Sequence, residues 1–158
     1  LRELPADVLA VQASAIADRL KDEHAGVRRA AVQTLRVLPP EALVPYAPAI
    51  AARLGDSVEN VREAAVVALG TLPAEALVSY VPAIAARLGD SDEGVRRAAV
   101  QTLRELPPEA LAMHASAIAA RLGDSDKGVR EAAVETLGEL PAEALAAQAS
   151  AIAARLGD

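Results

Sequence analysis

The sequence predicts an all-α fold built from tandem helical repeats, and three observations carry this prediction. The chain repeats itself every 34 residues, with five near-copies that begin at Leu1, Leu35, Leu69, Leu103 and Leu137. Its aromatic residues are two Tyr, with no Phe or Trp, so the core must be built from Ala, Leu, Ile and Val, which suits closely packed helices. Within each copy, apolar residues recur at the spacing of one helix face, and proline ends the run.

Composition excludes several classes of protein and site. The chain has 158 residues, 53% of them hydrophobic, a net charge of −6 and no cysteine. A disulfide framework, a thiolate metal site and a cysteine nucleophile are therefore excluded. No apolar run reaches the roughly 18 residues of a membrane-spanning helix, and no signal peptide is apparent. We expect a cytoplasmic protein without a membrane partner.

The repeats account for the whole chain, so we predict one continuous array over residues 1–158. Four complete repeats occupy residues 1–34, 35–68, 69–102 and 103–136, and a partial fifth occupies 137–158. The chain opens on the tail of a second helix and closes after a first helix. This phasing indicates a stretch excised or assembled from a longer array, either natural or engineered.

Each repeat is predicted to contain a long second helix. In the third repeat, Asp90, Ser91 and Asp92 offer acceptors for the free N–H groups of a helix start. Apolar residues then recur at helical spacing from Val95, until Pro107 ends the pattern. The same reasoning predicts four second helices, at about Ala25–Leu38, Glu59–Leu72, Glu93–Leu106 and Lys127–Leu140.

The first helical region of each repeat is predicted to be bent. One aligned column holds Ser14, Pro48, Pro82, Ser116 and Ser150, and a helix start accepts both residue types. Pro45 adds a second proline that the interior of a straight helix would not tolerate. We therefore predict a short helix over Pro39–Tyr46 and another over Pro48–Leu54, set at an angle. Their predicted buried residues are Leu43, Ala47, Ile50, Ala51 and Leu54.

These motifs resemble HEAT repeats. The spacing of Pro82, Asp90 and Arg96, and the phrase VRRAAV at 95–100, are typical of that family. The period is shorter than the roughly 40 residues usual for it, and serine replaces proline in three of the five repeats. The resemblance implies a right-handed α-solenoid, or superhelix, of about 4.5 helix-pair repeats. It also implies a structural ladder of Asp and Arg side chains along the stack, here Asp56, Arg62, Asp90, Arg96, Asp124 and Arg130.

The sequence offers little support for catalysis or nucleic-acid binding. The two histidines, His24 and His114, lie in different parts of non-adjacent repeats, and the glycines recur singly rather than in a phosphate-binding loop. The five repeats carry net charges of 0, −1, −1, −2 and −2, so none has the basic character of a phosphate-tracking surface. We predict a non-enzymatic protein with no metal, no cofactor and no nucleic-acid partner.

Two surfaces are candidates for binding a partner. The residues that vary between repeats fall on the side of the second helix opposite its core stripe, and the resemblance implies that second helices line a concave, ligand-facing surface. The candidate partner-binding residues on this side are Arg29, Glu63, Val67, Arg97, Gln101, Arg104, Glu131 and Glu135. The second candidate is a ridge on the first-helix side, formed by Tyr46, Tyr80, Met113 and His114, because Tyr and Met are favoured at interfaces.

The predicted function is a scaffold that binds a protein or peptide on the concave side. The alternative is a self-assembling or engineered array with no evolved ligand, and a HEAT-like enzyme or nucleic-acid binder is less favoured. Self-association is predicted to run head to tail, because apolar core positions recur in the end repeats without a neighbour to cover them. At one end these are Leu145, Ile152 and Leu156, and at the other they are Leu1, Leu4, Leu9 and Ile16.

Overall fold

The computed structural model describes residues 6–157, apart from the side chains of residues 6, 7, 9, 151, 155 and 156. Of the end residues named above, Leu1, Leu4, Leu9 and Leu156 lie outside the described backbone or side chains. The chain divides into two compact units, an N-terminal unit that ends at Leu77 and a C-terminal unit that begins at Val78. Over residues 6–157 the secondary structure is helical, without a strand.

The N-terminal unit alternates first and second helices along the chain. Helices α2 (Ala25–Leu35) and α5 (Glu59–Leu69) are the second helices, and they pack on each other. Helix α1 (Ala6–Asp18) also packs on α2, and α4 (Ala47–Ala51) packs on α5. Short 3-10 turns occupy Arg19–Lys21, Val44–Tyr46 and Ala52–Gly55. The helices are α1 (Ala6–Asp18), α2 (Ala25–Leu35), α3 (Pro40–Leu43), α4 (Ala47–Ala51), α5 (Glu59–Leu69) and α6 (Ala74–Leu77).

The C-terminal unit follows the same plan, with α8 (Glu93–Arg104) and α11 (Lys127–Gly138) as the paired second helices. Its 3-10 turns are Val78–Tyr80, Arg87–Gly89 and Ala120–Gly123. The helices are α7 (Val81–Ala86), α8 (Glu93–Arg104), α9 (Pro108–Ala112), α10 (Ala115–Ala119), α11 (Lys127–Gly138), α12 (Ala142–Ala147) and α13 (Ala149–Leu156). Among residues 6–157, none of these helices combines the length and apolarity needed to span a membrane.

The predicted starts of the second helices are confirmed, but the predicted ends are two or three residues too late. The carboxylates of Asp92 and Asp126 accept hydrogen bonds from the N–H groups three residues on, which fixes the starts of α8 and α11. After Leu35, by contrast, the N–H groups of Val37 and Leu38 bond to carbonyls only three residues back. The last turn has therefore tightened out of α geometry before the prolines are reached.

The predicted bend in the first helical region is confirmed in the second, fourth and fifth repeats and wrong in the first. Tyr46 lies at the break in the second repeat, with φ −96° and ψ −7°, and Pro48 follows within the first turn of α4. In the first repeat α1 runs unbroken across Ser14. Serine keeps the backbone N–H that proline lacks, so it permits a continuous helix as well as a break.

The core of both units consists of aliphatic side chains at repeated positions. Leu43, Ala47, Ile50 and Leu54 are buried as predicted, whereas Ala51 is half-buried. Along the second helices the valines at 61, 95 and 129 and the leucines at 35, 69, 103 and 137 are buried. These rows of aliphatic residues hold the paired helices at fixed spacing and leave the opposite side of each second helix for other contacts.

Candidate functional site

An arginine of one repeat binds the aspartate of the next repeat in the N-terminal unit. Arg28 donates from Nε to Oδ2 and from Nη2 to Oδ1 of Asp56, both at 2.8 Å. Its Nη1 donates to the backbone oxygens of Asp22 and Glu23, at 2.9 and 3.0 Å. One guanidinium therefore ties the loop of its own repeat to the carboxylate of the following one.

The C-terminal unit repeats this arrangement with Arg96 and Asp124. Their two hydrogen bonds are 2.8 Å each, and the side chains are 10% and 2% exposed. The implied ladder also contains Asp90, which lies in the same repeat as Arg96. Arg96 touches only the backbone carbonyl of Asp90, at 2.9 Å, because the fork of the guanidinium points towards the next repeat.

The other residues of the implied ladder lie in the same loops. Arg62 donates to the carbonyl of Asp56 at 3.0 Å, and Arg130 donates to the carbonyl of Asp124 at 2.7 Å. The Asp90 carboxylate accepts from the N–H of Asp92 and from Arg87. The arginine of each of these repeats thus braces the loop before its own second helix.

The buried carboxylates of this ladder are held in the charged form. Hydrogen bonds from Arg28 lower the pKa of Asp56, although burial opposes this effect. Burial acts most strongly on Asp124 and would raise its pKa, but bonds from Arg96 and from the N–H of Asp126 outweigh it and lower the pKa. Both carboxylates already accept several hydrogen bonds, so they are structural ions rather than proton acceptors.

We use the term second-helix face for the side of each second helix that carries its four variable positions. These positions are residues 29, 33, 36 and 37; 63, 67, 70 and 71; 97, 101, 104 and 105; and 131, 135, 138 and 139. None of the eight candidate residues on this face is buried. Six are exposed, whereas Glu63 and Val67 are half-buried. The structure therefore places all of them at the surface, with Arg29, Glu63 and Val67 in the N-terminal unit and the remaining five in the C-terminal unit.

In the C-terminal unit Arg104 forms ion pairs with two glutamates of this face. Arg104 donates to Glu135 at 3.0 Å and to Glu139 at 2.9 Å. Glu131 lies 3.2 Å from Lys127. The Arg97 side chain lies against the first turn of α11. A Cβ added to Gly128 would stand 3.1 Å from the Nη1 atom of Arg97. The glycine therefore allows this close approach of the guanidinium to the neighbouring helix.

In the N-terminal unit the same face holds a shallow depression of about 170 Å³. Arg29 and Arg36 rim it, and among the described residues neither arginine forms an ion pair. Ala64 and Val67 supply its apolar part. The full lining is Arg29, Gln33, Arg36, Asn60, Glu63, Ala64 and Val67.

The predicted ridge residues lie at the breaks within the first helical regions. Tyr46 belongs to the N-terminal unit, and Tyr80, Met113 and His114 belong to the C-terminal unit. Met113 is 83% exposed, whereas the two tyrosines and His114 are half-buried. The other histidine, His24, is exposed and lies 3.4 Å from Asp22.

Two features of the surface were missed by sequence reasoning. Glu139 is the second carboxylate partner of Arg104. Its position 35 residues further along the chain, one repeat ahead, is the sequence signal that could have identified it. The second feature is an apolar groove of about 610 Å³ in the N-terminal unit. It lies between α1 and α2, and its lining includes Ala13, Ile16, Ala30, Thr34, Val37 and Leu38. Within the described residues, no cluster of three His, Asp or Glu side chains could hold a metal ion.

The family assignment follows from the sequence profile of HEAT repeats, which matches residues 47–137 and 81–158. The chain belongs to the HEAT-repeat family. A second profile, described as a HEAT repeat associated with sister chromatid cohesion, matches residues 13–35. Among curated proteins, no sequence matches this HEAT-repeat protein.

Solved structures similar to this HEAT-repeat protein include engineered repeat proteins. An engineered protein has a TM-score of 0.70 at 21% identity, with 92% of this chain and 68% of that chain covered. A designed armadillo repeat protein in complex with the peptide (KR)4 has a TM-score of 0.75 at 19% identity, with coverages of 95% and 74%. At such identities the likeness shows the fold, and it confirms the predicted all-α solenoid class.

Proposed function

We propose that this HEAT-repeat protein is a non-catalytic scaffold that binds protein or peptide segments on its second-helix face. One observation carries the proposal: the positions that differ between repeats lie at the surface on this face, with twelve of the sixteen exposed and nine of the sixteen charged, whereas the repeated positions form the core and the ladder. A surface that varies on a constant framework suits partner recognition. The designed armadillo protein with bound (KR)4 supports the proposal by analogy of fold.

The absence of catalysis and of a cofactor is part of this proposal. The carboxylates with lowered pKa values, Asp56 and Asp124, are saturated by hydrogen bonds within the ladder. His24 and His114 belong to different units, and neither is paired with a nucleophile among the described residues. These features give the described surface no acid–base pair positioned for chemistry.

Charge on the second-helix face favours a protein or peptide over a nucleic acid. In the N-terminal unit, Arg29 and Arg36 against Glu63 leave a charge of +1. In the C-terminal unit, two arginines face four glutamates and leave a charge of −2; these are Arg97, Arg104, Glu105, Glu131, Glu135 and Glu139. A phosphate backbone requires a continuous basic track, which neither unit provides on this face.

The test first selects peptide ligands and then identifies the residues of this chain that bind them. Peptides of random sequence are selected on the immobilised chain from a display library, and the affinities of the best binders are measured. Arg97→Glu combined with Glu131→Arg should weaken binding by about tenfold, because exposed charges act on association and specificity. The thermal midpoint should stay nearly unchanged, because exposed ion pairs contribute little to stability.

The control variant is Met113→Ser, which alters the ridge alone. We expect it to bind the selected peptides as the unaltered chain does. Loss of binding in Met113→Ser, with full binding in the charge-reversed variant, would transfer the site to the ridge and contradict the proposal. Failure to select any peptide would contradict it as well.

Self-association is a second candidate function, favoured by the apolar groove of the N-terminal unit. Ile16, Ala30 and Thr34 are at least partly exposed there, whereas their counterparts Ile118, Ala132 and Thr136 are buried in the C-terminal unit. Helix α8 packs on α11 in that unit, and Val100 is fully buried. Val134, in the same column as Val100, is 51% exposed on α11. We propose that α11 of a second copy occupies the groove, in a head-to-tail contact.

Light scattering tests this association over protein concentrations from about 10 µM to 1 mM. This range of concentrations covers weak to moderate affinities. The mean mass should rise with concentration, and Val134→Lys should suppress the rise by placing a charge against the groove. Lys127→Glu, a change of charge on the first turn of the same helix, serves as the control and should still associate. A constant monomer mass at all concentrations would rule the contact out.

A further inference from the structure

Arg104 shows which ligand this position of the second-helix face accepts. Its guanidinium, 39% exposed, donates to two carboxylates, one on Glu135 and one on Glu139. These acceptors lie 31 and 35 residues further along the chain, one repeat ahead. Two charge-assisted hydrogen bonds to separate carboxylates satisfy the fork of the arginine.

Arg36 occupies the same column in the N-terminal unit, but the positions one repeat ahead of it hold no carboxylate. Counting 31 and 35 residues from Arg36 gives Val67 and Thr71. Among the described residues, Arg36 accordingly forms no ion pair. The repeat after Arg104 supplies two carboxylates. The repeat after Arg36 instead has an aliphatic side chain, Val67, and a hydroxyl-bearing side chain, Thr71, at the same positions.

The residues around Arg36, which lacks a carboxylate partner among the described residues, form a depression with both polar and apolar surface. Arg36 and Arg29 rim the depression of about 170 Å³, which is close to the volume of a single side chain, and Val67 is half-buried in it. Asn60 adds an amide at a position where the other complete repeats have glycine. The depression thus combines cationic donors, an amide and an apolar surface.

We infer that this depression binds a carboxylate of a peptide, which takes the role that Glu135 and Glu139 play for Arg104. This inference rests on the proposed peptide-binding function and names its ligand class. Glu63 lies in the same depression, where its carboxylate repels the multiple charges of phosphate more than it repels a single carboxylate and has the chemistry to accept a backbone N–H of a bound peptide. The site therefore discriminates in favour of an acidic peptide over inorganic phosphate.

The probe is a fluorescently labelled, acetylated and amidated peptide with two glutamates among alanines, and its glutamine counterpart is the reference. The glutamate peptide should bind at least tenfold more tightly than the glutamine peptide. A peptide with glutamines and a free C-terminus tests whether a terminal carboxylate serves equally. Inorganic phosphate is added as a competitor and should displace the glutamate peptide poorly.

Variants exchange the two environments of the arginine. Arg36→Gln should reduce binding at least tenfold. The control change Arg19→Gln should leave binding unaltered, because Arg19 is exposed, lies outside the second-helix face and pairs with Asp22. Val67→Glu with Thr71→Glu installs the carboxylates of the C-terminal unit and should also abolish binding. The converse pair, Glu135→Val with Glu139→Thr, should free Arg104 and raise the stoichiometry from one peptide to two. Circular dichroism verifies the fold of each variant.

Several outcomes would overturn the inference. These are equal binding of glutamate and glutamine peptides, equal effects of Arg36→Gln and Arg19→Gln, unchanged stoichiometry in the converse pair, and ready displacement by phosphate. The broader proposal can survive such results, because library-selected peptides would still depend on Arg97 and Glu131. Failure of both experiments would remove peptide binding by this face altogether.

Discussion

Replacement of Arg96 by alanine is expected to destabilise the protein by about 3 kcal/mol, the effect of removing one partner of a buried ion pair. Arg96 and Asp124 are 10% and 2% exposed and share two hydrogen bonds of 2.8 Å. The alanine variant leaves the Asp124 carboxylate buried without its principal counter-ion, and the carbonyls of Asp90 and Ser91 lose a donor. Thermal and urea unfolding followed by circular dichroism measure the loss.

Arg104→Ala is the matched control for this prediction. Arg104 also donates to two carboxylates, but its partners Glu135 and Glu139 are 64% and 54% exposed, so solvent screens the loss. Its unfolding midpoint should move far less than that of Arg96→Ala. Equal midpoints for the two variants would contradict a stabilising role for the ladder.

The same ion pair predicts a dependence of stability on acid. The pKa of Asp124 is lower in the folded protein than its ordinary value of 3.8, so the unfolded chain binds a proton first. The stabilisation is fully present above that ordinary pKa and is lost as the pH falls through the folded value. The difference in unfolding free energy between the unaltered chain and Asp124→Asn should therefore shrink below about pH 4.

Replacement of Ile118 by alanine is expected to cost about 2–5 kcal/mol, the range for large aliphatic residues truncated in a packed core. Ile118 is fully buried in α10, and its removal leaves a cavity that helices fixed by rows of aliphatic contacts can close only in part. Chemical unfolding should show a lower midpoint with little change in slope.

Ile152→Ala provides the comparison in the same column. Ile152 carries the same side chain at the same position of α13, but it is only half-buried. The lost burial and the cavity are both smaller, so this variant should cost clearly less. If the two variants destabilise equally, burial of the isoleucine column does not determine its contribution.

The sequence by itself determined the repeat, its helices and the direction in which side chains point. The period of 34 residues, the carboxylates before each second helix and the prolines after it predict four helix starts that the structure confirms. Local rules suffice for these features. Carboxylates cap α8 and α11 directly, those of Asp22 and Asp56 accept N–H groups in the loops before α2 and α5, and a helix face follows the 3.6-residue period. The exposed variable positions follow from the same period.

The tertiary structure decided which groups meet across repeats. Arg96 reaches Asp124 rather than the carboxylate of Asp90. Arg104 reaches Glu135 and Glu139, whereas the corresponding positions ahead of Arg36 hold Val67 and Thr71. These partners are 28, 31 and 35 residues apart, and whether they touch depends on how two packed helices are rotated and shifted relative to each other. Local propensity does not set that rotation, because it results from the fit of the rows of side chains between the helices.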